Sequence, residues 1–100
     1  MEFFAPYMDR ITELCRKHKV RSLYAFGSAA KGTIGPQSDV DLVVDIPIDD
    51  PLIYGSNYFD LLFSLEELFG RPIDLLEQRS LRNRFLVSAI ESTKRHLYEA

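Results

Sequence analysis

Two aspartates set two residues apart in an apolar run are the residues of this chain whose types and spacing best suit chemistry. Asp39 and Asp41 begin the run Asp-Val-Asp-Leu-Val-Val-Asp, which alternates as a half-buried strand does. If Val40, Leu42 and Val44 face the core, both carboxylates project from the opposite face, on the order of 6–7 Å apart. Their hard oxygens at this separation suit one or two Mg²⁺ or Mn²⁺ ions.

A two-metal site needs a third ligand, and the sequence offers Asp45 and Asp74. Asp45 lies about 13 Å from Asp41 at ~3.3 Å per residue, whereas paired metals lie only ~3.5–4 Å apart. Asp74 stands between Ile73 and Leu75 in a predicted strand, so it faces the carboxylates if those two face the core. We therefore predict Asp74 as the third ligand. An Asp-x-Asp pair alone is more often a solvated strand face or a turn than a catalytic site. Gly27-Ser28 at the end of the preceding strand and Asp74 with matching parity change that balance in favour of a metal site.

A glycine-serine pair follows the predicted strand Arg21–Phe26. Gly27 lets a ligand approach the backbone closely, and Ser28 offers an N–H and a hydroxyl to a phosphate oxygen. Lys31, on the same segment, could neutralise the charge of a triphosphate. The alternative is an exposed, solvated lysine that binds no ligand. No lysine follows Gly32, so the segment is not a Walker A loop.

The apolar periodicity predicts strands alternating with amphipathic helices. The predicted elements are a helix from Phe4 to about His18, strands at Arg21–Phe26 and Asp39–Asp45, a loop at Ile46–Ser56, a helix capped by Asn57 and closed by Gly70, a strand at Pro72–Leu76, a helix capped by Ser80, and a short strand at His96–Tyr98. This order predicts an α/β fold with helices mainly on one face of a small sheet, which leaves the other face free for the carboxylates.

Length and composition narrow the class of protein. With 100 residues, 46% of them apolar, residues 1–100 are expected to form a single domain. The net charge of −3 argues against nucleic acid as the default partner. The single cysteine, Cys15, cannot form an internal disulfide. We find no signal peptide and no stretch near the roughly 20 apolar residues that span a bilayer, so a cytoplasmic protein without membrane attachment is expected.

Gly27-Ser28, ten intervening positions and then Asp39-Val40-Asp41 resemble the signature of the DNA polymerase β-like nucleotidyltransferase superfamily. The small size resembles its minimal nucleotidyltransferase branch, and the resemblance covers nearly the whole chain. It implies the nucleotidyltransferase fold, with a small mixed β-sheet, and transfer of a nucleoside monophosphate to a hydroxyl with loss of pyrophosphate. Mg²⁺ or Mn²⁺ is then the expected cofactor and ATP the expected substrate. The resemblance assigns metal binding and catalysis to Asp39, Asp41 and Asp74, and nucleotide binding to Gly27, Ser28 and Lys31.

Minimal members of this superfamily resemble the antitoxin half of two-protein modules whose partner is an all-helical HEPN-type protein, and some modify a partner tyrosine with AMP. The resemblance therefore implies AMP transfer to a hydroxyl on a HEPN-type toxin. One alternative is a non-catalytic antitoxin that neutralises its partner by binding. Another is transfer to a small molecule such as an aminoglycoside, although the acceptor-gripping domains of larger members are missing from this sequence. The base, the acceptor and homo-oligomer formation stay open.

Overall fold

A four-stranded mixed β-sheet organises residues 3–100, the part of the chain that the computed structural model describes. The elements in chain order are a 3-10 turn at Ala5–Tyr7, α1 (Met8–Lys17), β1 (Ser22–Ala25), α2 (Gly27–Lys31), β2 (Val40–Asp45), α3 (Pro51–Phe69), β3 (Ile73–Glu77), a 3-10 turn at Gln78–Ser80, α4 (Arg84–Thr93) and β4 (Arg95–Glu99). The strand order is β3-β2-β1-β4, with β1 antiparallel to both neighbours and β2 parallel to β3. The α/β fold with a small mixed sheet is thus confirmed.

Helices α1 and α3 cover one face of the sheet. The alternation predicted for β2 is confirmed, because Val40, Leu42 and Val44 are fully buried in the core on this face. Leu61 and Leu65 of α3 are buried in the same core. Since successive side chains of a strand point to opposite faces, Asp41 is directed away from this core.

Helix α4 lies against the other face, which the sequence predicts to be free. Ile90 of α4 packs with Tyr24 and Val43 in a second, smaller cluster, and it is 1% exposed. The cover is incomplete, because Asp74 on this face is exposed and Asp41 is half-buried. The space for chemistry is therefore the part of the face near these two residues.

Helix α3 begins six residues before the predicted cap. The Asp50 side chain accepts hydrogen bonds from the N–H groups of Leu52 (2.9 Å) and Ile53 (3.1 Å), and Pro51 occupies the first turn. The predicted loop is present at 46–50 but is wrong at 51–56, because proline is well suited to the first position of a helix, where its missing N–H has no partner to lose. Asn57 lies inside α3. No helix within residues 3–100 is long and apolar enough to cross a membrane.

The last helix also has a different cap from the one predicted. Asn83 accepts hydrogen bonds from the N–H groups of Phe85 (2.9 Å) and Leu86 (3.1 Å). Ser80 instead ends a 3-10 turn. Serine and asparagine both favour N-cap positions, and the residue that caps this helix is Asn83, three positions after Ser80. The final strand is confirmed at Arg95–Glu99.

Candidate functional site

The parallel pairing of β2 with β3 places Asp41 directly beside Asp74. Paired residues on neighbouring strands point to the same face, with the strands about 4.8 Å apart. Ile73 and Leu75, on either side of Asp74, are only 7% and 5% exposed in the core, so Asp74 points to the opposite face. Asp39 immediately precedes β2 and is exposed. The strand pairing thus brings two of the three predicted carboxylates together, with the third two residues away.

The negative charges of Asp39, Asp41 and Asp74 repel one another. Partial burial raises the pKa of Asp41 above its ordinary value, and the negative charges of Asp74 and Asp39 raise it further. Burial and the two neighbouring negative charges all raise the pKa of Asp41, because each of them makes the ionised carboxylate less favourable. A bound cation would relieve both the burial cost and the repulsion.

The carboxylates do not converge on one point as their side chains lie. Within residues 3–100, no three His, Cys, Asp or Glu side chains are close enough together to hold a metal ion. Mg²⁺ is commonly held by one or two carboxylates, with water and substrate phosphates completing its shell. Asp41 and Asp74 fit that donor set by their chemistry and adjacency, and metal binding by Asp39, Asp41 and Asp74 stays a prediction.

The glycine turn after β1 lies against Asp41. Gly27 has φ of +64°, which L side chains rarely adopt, and a Cβ atom added there would lie 3.0 Å from Asp41 Oδ2. The Phe26 N–H also donates to the Asp41 carbonyl oxygen at 3.1 Å. Glycine is therefore favoured by the backbone conformation, and it also lets the turn approach the carboxylate without a Cβ between them.

The other predicted phosphate contacts belong to the short helix α2, where the sequence predicts only a turn. Ser28 is half-buried in its first turn, and Lys31 is exposed at its last residue. Gly27 donates its N–H to Thr93 Oγ1 of α4 at 3.3 Å, a contact between residues 66 positions apart. No local sequence signal points to Thr93. The Gly27 N–H thus has a partner within the fold, and phosphate binding by Gly27, Ser28 and Lys31 stays a prediction.

Asp45, excluded above on distance, occupies the opposite end of β2. It pairs with Ser22 at the start of β1, and its Oδ2 lies 3.4 Å from Arg21 Nη1. The Asp45 carboxylate thus has a cationic neighbour, whereas the charged neighbours that raise the pKa of Asp41 are anionic.

A cavity of about 400 Å³ lies elsewhere, between α4 and strands β1 and β4, and the three carboxylates do not line it. Its charged groups contact one another: Lys94 Nζ lies 3.1 Å from the Glu91 carboxylate and 5.3 Å from the centre of the Tyr24 ring. These mutual contacts leave the cavity without an evident ligand, so we do not assign it to the site.

Arg71 holds the loop that leads into Asp39, and the sequence analysis did not identify it. Its Nη1 donates to the carbonyl oxygens of Gly35 (2.8 Å) and Ser38 (3.2 Å). Ser38 also accepts the Gly35 N–H at its Oγ, at 3.2 Å. An isolated arginine before a predicted strand carries no signal for contacts more than 30 residues away.

We expect Arg71→Ala to lower the free energy of unfolding by about 1.5–3 kcal/mol, the range for hydrogen bonds to a charged group. The control is Arg82→Ala, because Arg82 Nη1 also donates to two carbonyl oxygens, those of the nearby Arg79 (2.9 Å) and Leu81 (3.0 Å). Urea denaturation of both variants provides the measurement. Equal losses would contradict a special role for the Arg71 contacts.

A mixed sheet that sets a glycine turn against one of two adjacent carboxylates is an arrangement suited to nucleotide transfer. Residues 9–97 match the family model described as nucleotidyltransferase domain, and this chain belongs to that family. It is 32% identical over 92 residues to a Methanocaldococcus jannaschii protein assigned as a protein adenylyltransferase, with 84% of this chain and 91% of that protein covered. The resemblance inferred from the glycine-serine and aspartate motif is confirmed.

Solved structures agree with this assignment. A structure assigned to the minimal nucleotidyltransferases superposes with a TM-score of 0.72 at 26% identity, covering 91% of this chain and 92% of that one. A complex of a tri-AMPylated Shewanella oneidensis HEPN toxin with an MNT antitoxin contains a chain that matches with a TM-score of 0.63 at 21% identity, covering 93% of this chain and 70% of that one. At this identity the second likeness shows the fold alone.

Proposed function

We propose that this protein transfers AMP from ATP to a hydroxyl group on an all-helical HEPN-type toxin and thereby acts as its antitoxin. The observation that carries the proposal is the position of Gly27 against Asp41, with Asp74 directly beside it on β3. The adenylyltransferase assignment of a relative and the AMPylated toxin in a complex of the same fold support the choice of AMP and of the partner.

In this proposal, Asp39, Asp41 and Asp74 bind Mg²⁺ or Mn²⁺ together with the nucleotide. The bound cation supplies charge neutralisation at the phosphates during the in-line displacement. Ser28 orients the triphosphate through its N–H and hydroxyl, and Lys31 adds positive charge. Asp74, which is exposed, accepts the proton of the acceptor hydroxyl. The acceptor oxygen forms a bond to the α-phosphorus, the bond from that phosphorus to the bridging oxygen breaks, and pyrophosphate leaves.

A protein acceptor is supported by the outer face of α3. Leu52, Ile53, Phe59 and Phe63 are 85%, 58%, 52% and 61% exposed there, although the inner face of the same helix is in the core. Exposed apolar side chains grouped on the outer face of a helix are typical of a surface that another protein covers. The same face favours a second candidate function, in which the protein is a non-catalytic antitoxin that neutralises its partner by binding alone.

Intact mass spectrometry separates these two functions. The purified chain is mixed with the helical protein encoded beside it, Mg²⁺ and ATP, and the partner is expected to gain one or more AMP masses. The matched control is the double variant Asp39→Asn/Asp41→Asn, which should leave the partner unmodified. If wild-type protein neutralises the partner without adding mass, the non-catalytic function is correct.

A further inference from the structure

One hydroxyl of α4 connects that helix to the glycine turn of the candidate site. Thr93 Oγ1 accepts the hydrogen bond from the Gly27 N–H at 3.3 Å and donates its own proton to the Ala89 carbonyl oxygen at 3.0 Å. Because the hydroxyl proton is used within α4, an oxygen lone pair is left to accept from Gly27. The hydroxyl thus links the backbone of the helix to the backbone of the turn.

The position of Thr93 follows from the sheet. Ala25, the last residue of β1, pairs with Arg95, the first residue of β4. Gly27 follows Ala25 by two residues and Thr93 precedes Arg95 by two, so the strand pairing brings the turn and the end of α4 together. Lys94, between α4 and β4, donates its N–H to the Ile90 carbonyl oxygen at 2.7 Å and ends the helix there.

Two N–H groups connect the turn to other elements: that of Phe26 donates to the Asp41 carbonyl oxygen at 3.1 Å, and that of Gly27 donates to Thr93 Oγ1 at 3.3 Å. Gly27 is the most permissive residue type for backbone conformation, and Phe26, which precedes α2, provides no capping side chain. The backbone at Gly27 is so close to Asp41 that an added Cβ atom would lie 3.0 Å from Asp41 Oδ2. A small rotation of the turn would therefore change its distance from the carboxylates.

We infer that Thr93 is a positioning residue for nucleotide binding, whose hydroxyl holds the Gly27 turn against Asp41 so that Ser28 faces the triphosphate. The inference rests on the proposed function, because it concerns the nucleotide of the same site. Holding the turn before the nucleotide arrives lowers the ordering cost of binding. Thr93 itself does not contact the nucleotide in this arrangement.

The test compares Thr93→Val, which removes the hydroxyl at nearly constant volume, with Thr93→Ser, which retains it. Ser92→Ala is the matched control, since Ser92 Oγ donates to the same Ala89 carbonyl oxygen at 2.9 Å and the contact to Gly27 belongs to Thr93. Calorimetry measures the dissociation constant of α,β-methylene-ATP with Mg²⁺, an analogue that cannot lose pyrophosphate. NMR measures hydrogen exchange of the Gly27 amide in nucleotide-free protein.

Thr93→Val is expected to weaken analogue binding by about 2- to 12-fold, equivalent to one neutral hydrogen bond, and to accelerate exchange at Gly27. Thr93→Ser and Ser92→Ala should match the wild type in both measurements. Unchanged or tighter binding by Thr93→Val would overturn the inference, as would unchanged exchange at Gly27. If Thr93→Val does not fold, Thr93→Ala removes the same hydroxyl without added bulk and gives the same two measurements.

Failure of the proposed function would look different. If the proposed nucleotide site is wrong, wild-type protein will not bind the analogue, and the positioning role toward nucleotide will fall with it; if only the transfer is wrong, wild-type protein will bind the analogue but add no AMP mass to the partner. The exchange rate at Gly27 would still report whether Thr93 holds the turn. If wild-type protein binds and all three variants bind equally, the proposed nucleotide site stands and the role of Thr93 does not.

Discussion

Asp41→Asn is expected to make the protein more stable at neutral pH and to abolish transfer. The fold raises the pKa of Asp41 through burial and through the charges of Asp74 and Asp39, so the ionised carboxylate is less favourable in the folded than in the unfolded chain. Asparagine has nearly the same shape without the charge. It also removes a proposed metal ligand, so the charge neutralisation at the phosphates, and with it the transfer, should be lost.

The sign of this stability effect depends on pH. Because the pKa is higher in the folded chain, folding takes up protons, and the contribution of Asp41 to stability falls as the pH rises through that pKa. The advantage of Asp41→Asn should therefore be present at pH 7 and disappear below about pH 4, near the ordinary pKa of aspartate. Urea denaturation at pH 7 and at pH 3.5 provides the measurement.

Asp45→Asn is the matched control on the same strand. Its carboxylate lies beside Arg21, so neutralising it should not stabilise the protein, and transfer should continue. If Asp41→Asn were less stable than wild-type protein at pH 7, the repulsion and burial cost described for Asp41 would be wrong. If it retained full transfer, the proposed role of Asp41 as a metal ligand would be wrong. Gain of stability with loss of activity is typical of residues kept for function.

Gly27→Ala is expected to have the second large effect, on both stability and nucleotide binding. Gly32→Ala is its control, because Gly32 also has positive φ (+76°) but open space where a Cβ would be placed. Alanine in the left-handed region costs about 1–2 kcal/mol at either position. At Gly27 the added methyl also meets Asp41 Oδ2 at 3.0 Å, and because this oxygen is the end of a half-buried side chain that can shift, we expect a further loss of about 1 kcal/mol, the low end for overpacked sites.

Only Gly27→Ala should also weaken binding of the Mg²⁺-nucleotide complex, because only there does the new methyl press on a proposed metal ligand. Urea denaturation and calorimetric titration of both variants separate the two contributions. Equal stability and equal nucleotide affinity in Gly27→Ala and Gly32→Ala would show that the close approach to Asp41 does not matter.

The residues on β2 and β3 could be predicted from the sequence because strand alternation is a local pattern. The direction of both carboxylates follows from their apolar neighbours: one on each side of Asp74 (Ile73 and Leu75), and three that alternate with the aspartates of β2 (Val40, Leu42 and Val44). The pairing of β2 with β3 then sets Asp41 beside Asp74. Which metal ion and nucleotide they bind stays a prediction, since alternation fixes direction and not the rotation of a side chain.

The start of α3 could not be predicted in the same way. Leu52 and Ile53 are apolar but exposed, so the first turns lack the alternation of polar and apolar faces that marks an amphipathic helix. Pro47 and Pro51 look alike as interruptions, yet only Pro51 lies at a helix start, after the capping Asp50. Asp50 followed by Pro51 is the sequence pattern that indicates this helix start. It was not recognised because the apolar residues that follow do not show helical amphipathicity.

The contacts of Arg71 and Thr93 could not be predicted by any local pattern. Arg71 contacts carbonyl oxygens 33 and 36 residues away, and Thr93 contacts a backbone N–H 66 residues away. Both depend on which strands become neighbours. They are also the contacts that hold the two loops of the candidate site.

The order of the strands along the chain has a consequence for biosynthesis. β1 pairs with β4, and the paired residues Ala25 and Arg95 are 70 positions apart in sequence. A chain emerging from the ribosome presents β1 and the Gly27 turn long before residues 95–99 exist, and contacts between such distant segments form slowly. Until then one edge of β1 has no partner strand and the turn has no Thr93 to hold it. Nucleotide binding should therefore mature late, after β4 has been made and has joined the sheet, which separates the synthesis of this protein in time from its activity.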